Sequence, residues 1–177
     1  MAFTAPVTRA TDFLVTAAIW NAEHVDNLNT AVMHLHARKT ADESIASSTT
    51  LQDDDTLQLA VGANEIWAVR YVLKMTIPIT PQAKMAFTFP ASGDISVSGT
   101  EFNAAGTMVK ITFQGTTTPT ATQDFLGSTA NRTIMLEGTF VNAGTPGTLI
   151  LQWAQNVSNA SATIMKTNSS LWVVKLA

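Results

Sequence analysis

The sequence contains no cysteine, only one tyrosine and few charged side chains. Without cysteine, the chain forms no disulfide and offers no thiolate for catalysis, for zinc or for an iron–sulfur cluster. Charged residues make up 13% of the 177 residues, about half of the usual share. No run of about 18 apolar residues occurs, so we expect no membrane-spanning helix. The N-terminus lacks a basic segment followed by an apolar one, so we expect no signal peptide.

Threonine and alanine dominate what is present, with 27 Thr and 25 Ala. The net charge of -3 is unevenly distributed: residues 1–65 carry nine acidic and three basic groups, and residues 66–177 carry four acidic and seven basic groups. A net negative chain argues against nucleic-acid binding through bulk electrostatics. The change of sign suggests that the two parts have different roles, or that copies meet head to tail.

Residues 1–37 are predicted to form an extended arm followed by one α-helix. Residues 17–37 contain no Gly or Pro, and Thr16 is a suitable N-cap. Apolar residues recur there at heptad spacing, and such a stripe has to be covered, either by the chain's own sheet or by copies of itself. We therefore predict five assembly residues on this helix: Trp20, Val25, Leu28, Val32 and Leu35.

Residues 38–64 are predicted to be a connector with a short strand at 57–61, and from residue 65 the apolar period changes to two. Residues 66–77 give the clearest alternation, and about eight such segments follow one another, separated by turn signals such as 91–94 and 143–147. The predicted fold is mainly β: an antiparallel, jelly-roll-like β-sandwich over residues 65–177, preceded by the arm and the helix.

Several of the predicted strands are apolar on both faces, most clearly the one at 66–77 and the last one in the chain. In a two-layer sandwich one face of each sheet should be wet. We therefore expect other copies of the chain to cover part of the outer surface, which makes the protein a homo-oligomer.

Two groups of side chains are candidates for metal binding, although we predict no cofactor. His24, His34 and His36 do not clamp a metal within one helix, but three copies of His24 or of His36 could meet on a threefold axis; otherwise they are surface or partly packed residues at a helix end. Asp53–Asp55 either holds a cation or is a solvated turn that discourages edge-to-edge pairing of sheets.

We predict no enzymatic activity. No serine lies in a Gly-x-Ser-x-Gly motif, and no histidine follows His36. Paired carboxylates for cleaving glycosidic bonds remain an alternative, drawn from the acidic residues of the β region: Asp94, Glu101, Asp124 and Glu137.

Two further patterns concern sugars. Three tryptophans of the predicted strands are either buried or form a platform for a sugar: Trp67, Trp153 and Trp172. Asn-x-Ser/Thr triplets occur at four positions, and they would accept glycans in a secreted protein or else reflect a chain rich in Asn, Ser and Thr: Asn131, Asn156, Asn159 and Asn168.

Residues 15–29, VTAAIWNAEHVDNLN, resemble the N-terminal segment of many tailed-bacteriophage virion proteins, in which a short helix precedes a β domain. Residues 39–57 resemble the start of that β domain, and 149–156 and 171–175 resemble its later part. The resemblance implies a structural protein of the virion, a small tail-fibre or head-decoration subunit. It also implies a homo-oligomer, with a trimer favoured, that contacts other virion proteins and has no catalytic residues.

The sequence therefore predicts a bacteriophage virion structural protein that attaches through its N-terminal region and projects its β domain. Nucleic acid and membranes are not among the expected partners. One alternative is a carbohydrate- or receptor-binding module at the host cell surface, and another is a hydrolase of cell-surface polymer.

Overall fold

The computed structural model describes residues 34–102, 108–120, 122–127 and 131–177. Leu35–Ala177 form one compact unit. The described residues contain twelve strands: β1 (His34–Arg38), β2 (Glu43–Ile45), β3 (Gln52–Val61), β4 (Ile66–Thr76), β5 (Ala83–Thr88), β6 (Asp94–Phe102), β7 (Met108–Gly115), β8 (Gln123–Phe125), β9 (Asn131–Val141), β10 (Gly147–Ala154), β11 (Thr163–Met165) and β12 (Ser170–Lys175). None of the described residues forms a helix that could cross a membrane.

The strands form two antiparallel sheets. The larger sheet has eight strands in the order β1-β12-β4-β9-β6-β7, with β11 beside β4 and β2 beside β11. The smaller sheet has four strands in the order β3-β10-β5-β8. The prediction of a mainly β, antiparallel protein is confirmed.

Strand β4 shows how the alternating sequence produces the larger sheet. It pairs along its full length with β9, from Ile66 opposite Val141 to Thr76 opposite Asn131, and on its other side with β12. Side chains of successive strand residues point to opposite faces, so one set is buried. That buried set is Trp67, Val69, Tyr71, Leu73 and Met75. The strand predicted at 66–77 is thereby confirmed.

Aromatic rings from the two sheets contact one another in the core. Phe87 of β5 packs against Tyr71 of β4 with ring centroids 5.3 Å apart, and against Phe113 of β7 at 4.9 Å in an edge-to-face arrangement. Phe89 and Phe140 form another such pair at 5.5 Å. Pairs of this kind contribute about 0.5–1.5 kcal/mol beyond the area they bury, so the core joins the two sheets.

The helix predicted over residues 17–37 is not supported, and at its C-terminal end it is wrong. Residues 34–37 belong to β1, so the predicted assembly residue Leu35 is a strand residue, 46% exposed. The physical reason is that β12 pairs with β4 on one side only, and its free side supplies hydrogen-bonding partners to the extended segment. The other predicted assembly residues lie outside the described residues: Trp20, Val25, Leu28 and Val32.

The segment 38–64 contributes two strands to the sheets. Strand β3 is longer than the expected 57–61, and Leu57, Leu59 and Val61 lie in the core. It pairs with β10, and the register shifts between Ile150 and Gln152 of β10. This irregularity lets the acidic start of β3 turn one carboxylate inward, which the alternating pattern alone does not indicate.

Gly138 of β9 lies where only a glycine fits between neighbouring strands. It is opposite Val69 of β4 and Val97 of β6, and a Cβ placed on it would lie 1.9 Å from the Ser96 carbonyl oxygen and 2.8 Å from Val97 Cα. We expect Gly138→Ala to lose at least about 2 kcal/mol of unfolding free energy in urea titrations, because the added methyl meets backbone that cannot yield without breaking the pairing.

The matched control for this prediction is Gly144→Ala. No atom lies within 4 Å of a Cβ at Gly144. We expect its unfolding free energy to stay within about 0.5 kcal/mol of the wild-type value. Equal losses for the two variants would show that the sheet accommodates a side chain at Gly138.

Candidate functional site

Lys39, directly after β1, is a buried cation among three carboxylates. Its side chain is 2% exposed, and its Nζ lies 3.2 Å from both carboxylate oxygens of Asp54 and 2.7 Å from Oδ1 of Asp55. Nζ also donates a hydrogen bond to Glu43 of β2. Asp54 is fully buried, whereas the Asp55 side chain is 72% exposed. We call these four side chains the Lys39 cluster.

The backbone around Lys39 is fixed by a neighbouring turn. Its amide donates to the Ser169 carbonyl at 2.9 Å, and its own carbonyl accepts from the Asn168 amide at 2.9 Å. Asn168 has a positive φ of 67°, a conformation that asparagine tolerates better than most residues. The turn before β12 therefore positions the lysine between the sheets.

The Asp54 carboxylate is fixed by its own strand. Its Oδ1 accepts hydrogen bonds from the backbone amides of Thr56 at 3.0 Å and Leu57 at 2.8 Å. An aspartate that binds the amides two and three residues further on forms a local turn, which interrupts the regular alternation of β3. As a result, Asp54 points into the protein three residues before Leu57, where the regular inward positions begin.

The protonation of the cluster reflects both burial and contact. Burial lowers the pKa of Lys39, but its hydrogen bonds to Asp55, Glu43 and Asp54 outweigh burial and raise the pKa above the ordinary value. Burial raises the pKa of the Glu43 carboxyl more than the hydrogen bond from Lys39 lowers it. The same kind of bond from Lys39 lowers the pKa of the exposed Asp55. Glu43 thus takes up a proton more readily than an ordinary glutamate, and Asp55 less readily than an ordinary aspartate.

These carboxylates could hold a metal ion only by expelling the lysine. Oxygens of Glu43, Asp54 and Asp55 lie within 4.8 Å of one another, which is a distance suited to a shared cation. The Lys39 ammonium, however, contacts all three and already supplies the positive charge. Asp53 is separate, because its Oδ1 accepts from Gln152 Nε2 at 2.7 Å. The three adjacent aspartates therefore do not form one metal site.

Of the three candidate histidines, the structure describes the side chain of His36. His24 lies outside the described residues, and His34 and His36 lie on β1. The His36 ring is stacked on Trp172 of β12, with centroids 5.4 Å apart and an interplanar angle of 25°. The His36 ring therefore packs against an indole ring.

Two of the three candidate sugar-binding tryptophans are buried. Trp67 and Trp153 lie in the core, so neither can stack on a sugar. Trp172 is 52% exposed, and its indole Nε1 donates to Ser170 Oγ at 3.0 Å. The three rings do not form a platform.

The candidate carboxylates of the β region are dispersed where their side chains are described. Asp94 and Glu137 share the larger sheet, but Asp94 lies opposite Val141, four residues along β9 from Glu137. At about 3.3 Å per residue this exceeds the separation of about 5–9.5 Å that glycosidases use. Asp124 lies in the smaller sheet, and Glu101 lies on β6.

The outer face of the larger sheet carries an exposed, partly apolar patch. Trp172 lies opposite Arg70, and Val72 lies opposite Met135. Trp172 and Met135 are exposed, and Arg70 Nη2 contacts Met135 Sδ at 3.7 Å. We call the set His36, Arg70, Val72, Met135 and Trp172 the outer patch.

No protein-family model matches the chain, and no curated protein matches it. Sequence reasoning did not find Lys39 and Glu43, which lie apart in the chain from the acidic triplet. The four-residue spacing of Lys39 and Glu43 was the available signal, but this spacing brings two side chains together only on a helix.

Proposed function

We propose that the protein is a structural subunit of a bacteriophage virion, a fibre or decoration component that assembles with copies of itself. The two antiparallel sheets would form a jelly-roll-like β-sandwich that projects from the particle, and the N-terminal region would attach it. The resemblance of residues 15–29 and 39–57 to virion proteins supports this role, with a trimer as the favoured assembly.

The observation that carries the proposal is the outer patch. An exposed tryptophan on β12 and an exposed methionine on β9 lie there on the two strands that flank β4, while half-buried Val72 and Val174 extend the apolar surface along β4 and β12. Aromatic residues, Met and Arg are the residue types enriched at protein interfaces. Arg70 also lies directly opposite Glu137, so a copy approaching this face would meet charges of both signs.

We propose a non-catalytic role. In the part of the chain that the structure describes, the polar groups expected of an active site lie apart or are occupied by Lys39. An assembled virion protein acts instead through many repeated contacts, which can raise avidity by about 10²–10⁴.

We expect the full-length chain at micromolar concentration to scatter light as a multiple of the 18.9 kDa chain mass, with three copies favoured. The double variant Trp172→Ser/Met135→Ser should shift the measured mass towards that of a single chain, because it removes the apolar contact. The matched control, Gln114→Ser, changes an exposed residue on β7 of the same sheet and should leave the assembly intact.

A monodisperse wild-type monomer would contradict the proposal. If the double variant assembles like the wild type, the outer patch is not the contact. Leu28→Asp then tests the predicted N-terminal contact, and it should weaken assembly while leaving the β domain folded.

A second candidate, a glycan-binding module, is favoured by the exposed ring of Trp172 alone. Aromatic rings of this kind bind sugars through their apolar faces. A glycan array probed with the intact oligomer should then give signals that Trp172→Ser abolishes and Gln114→Ser retains. An array without signals would remove this candidate.

A further inference from the structure

We propose that Lys39 and Asp54 form an intramolecular isopeptide bond, an amide that joins Lys39 Nζ to Asp54 Cγ, with Glu43 as the proton carrier. This modification site is independent of the proposed virion role. It would covalently tie the end of β1, in the larger sheet, to β3, the edge strand of the smaller one.

The geometry suits attack of nitrogen on the carboxyl carbon. Lys39 Nζ is 3.2 Å from Oδ1 and 3.2 Å from Oδ2 of Asp54. The nitrogen is therefore equally close to the two oxygens that flank Cγ, in contact with the carboxyl group it would attack. Intramolecular reactions are greatly accelerated when the reacting atoms are held about 3–3.5 Å apart, because the two groups do not first have to meet by diffusion.

The surroundings of Asp54 favour the reaction at this carboxyl. The backbone amides of Thr56 and Leu57 donate to Oδ1, so they polarise the carboxyl and stabilise the negative charge that develops on that oxygen. Among the described residues, the buried Tyr71 hydroxyl has no hydrogen-bond partner, and burial and then the Asp54 charge raise its pKa, so it stays a neutral hydroxyl.

Glu43 is suited to move the proton. Its carboxylate accepts a hydrogen bond from Lys39 Nζ and is largely buried. A general base is most effective when its pKa is close to the ambient pH, and burial shifts Glu43 in that direction.

The reaction balances without any co-reactant. A proton first passes from the ammonium through Glu43 to Asp54, which leaves a neutral amine and a neutral carboxylic acid. The amine lone pair forms the N–C bond at Cγ, and Glu43 carries a second proton from the nitrogen to the hydroxyl oxygen. The C–O bond then breaks and one water leaves. Ammonium and carboxylate have become amide and water, and Glu43 returns to its initial state.

Asp55 is the competing acceptor, and its environment disfavours it. Its Oδ1 is closer to Nζ, at 2.7 Å, but the side chain is 72% exposed. Water stabilises this exposed carboxylate, and a hydrated carboxylate is a poor electrophile. Of the two aspartates, Asp54 is the one that combines contact with burial.

The test is the intact mass of the purified full-length chain under denaturing conditions. We expect a mass lower than that of the sequence by one water, and a branched proteolytic peptide whose fragments join residues 39 and 54. Glu43→Gln should restore the full mass, because its amide cannot carry the proton. The matched control, Asp55→Asn, should still lose the water.

A wild-type chain of full sequence mass would overturn the proposal, as would a branch at Asp55 or Glu43. A folded Glu43→Gln chain that still loses water would overturn the role of Glu43. Circular dichroism establishes whether that variant is folded. If it is not, the wild-type mass and the branched peptide decide whether the bond forms, and Glu43→Asp, which keeps a carboxylate, tests the proton carrier.

Discussion

We expect Lys39→Met to lower the unfolding free energy by about 3–5 kcal/mol, because it leaves the Asp54 charge buried without its cation. The Asp54 carboxylate has no exposed surface, and Lys39 is the cation that contacts it. Glu43 and Asp55 add to the repulsion once the ammonium is removed. Urea titrations of wild type and variant at the same protomer concentration measure the loss.

The double variant Lys39→Met/Asp54→Leu shows whether the wild-type protein holds an ion pair or an amide at this position. If wild type holds only an ion pair, replacing both charges by apolar side chains should restore most of the stability. If wild type holds the amide, the double variant remains well below it, because closing a loop of about 15 residues contributes about 3 kcal/mol in the chain-entropy model. A loss of less than about 1 kcal/mol for Lys39→Met would show that Asp54 does not need a cation.

The second large loss of unfolding free energy is expected from removing the ring of Phe87, which contacts rings of the larger sheet. Phe87 is fully buried between Tyr71 and Phe113. Its backbone amide donates a hydrogen bond to Thr120 Oγ1, and its backbone carbonyl accepts one from the Thr120 amide. We expect Phe87→Ala to lose about 3–5 kcal/mol, because the removed ring leaves a cavity that fixed strands cannot fill. Chemical denaturation followed by tryptophan fluorescence measures this change, since Trp153 lies in the core.

Phe87→Leu is the matched control, since it keeps most of the buried volume. We expect it to lose less than half as much as Phe87→Ala, because the remaining cavity is smaller. Similar losses for the two variants would show that the edge-to-face contacts of the ring matter more than its volume.

Much of the sheet structure follows from the sequence because strand residues alternate between two environments. In the segment 66–77 every second residue, from Trp67 to Ile77, is apolar, and β4 lies there with its buried set on one face. The same reasoning identifies β5 from Met85, Phe87 and Phe89, and β10 from Leu149, Leu151 and Trp153. The period of two arises from the local geometry of a strand, so it can be recognised in the sequence before the partner strand is known.

The N-terminal boundary could not be predicted in this way. Leu35 continues the heptad spacing of Val25, Leu28 and Val32, yet it lies in β1. The residues HLHAR suit either an alternating strand or the end of a helix. The choice depends on β12, about 135 residues further along the chain, whose free edge offers hydrogen bonds that no local pattern encodes.

The sequence by itself determined the class of the protein: a cysteine-free, threonine-rich chain of alternating strands, which pairs into antiparallel sheets. Only the tertiary structure decided that Asp54 is buried while Asp53 and Asp55 are exposed, and that Lys39 meets all three carboxylates of its cluster. The reason is physical. Alternation is a property of each strand, whereas a contact between β1, β2 and β3 depends on how distant strands are packed and on one local turn at Asp54 that interrupts the alternation.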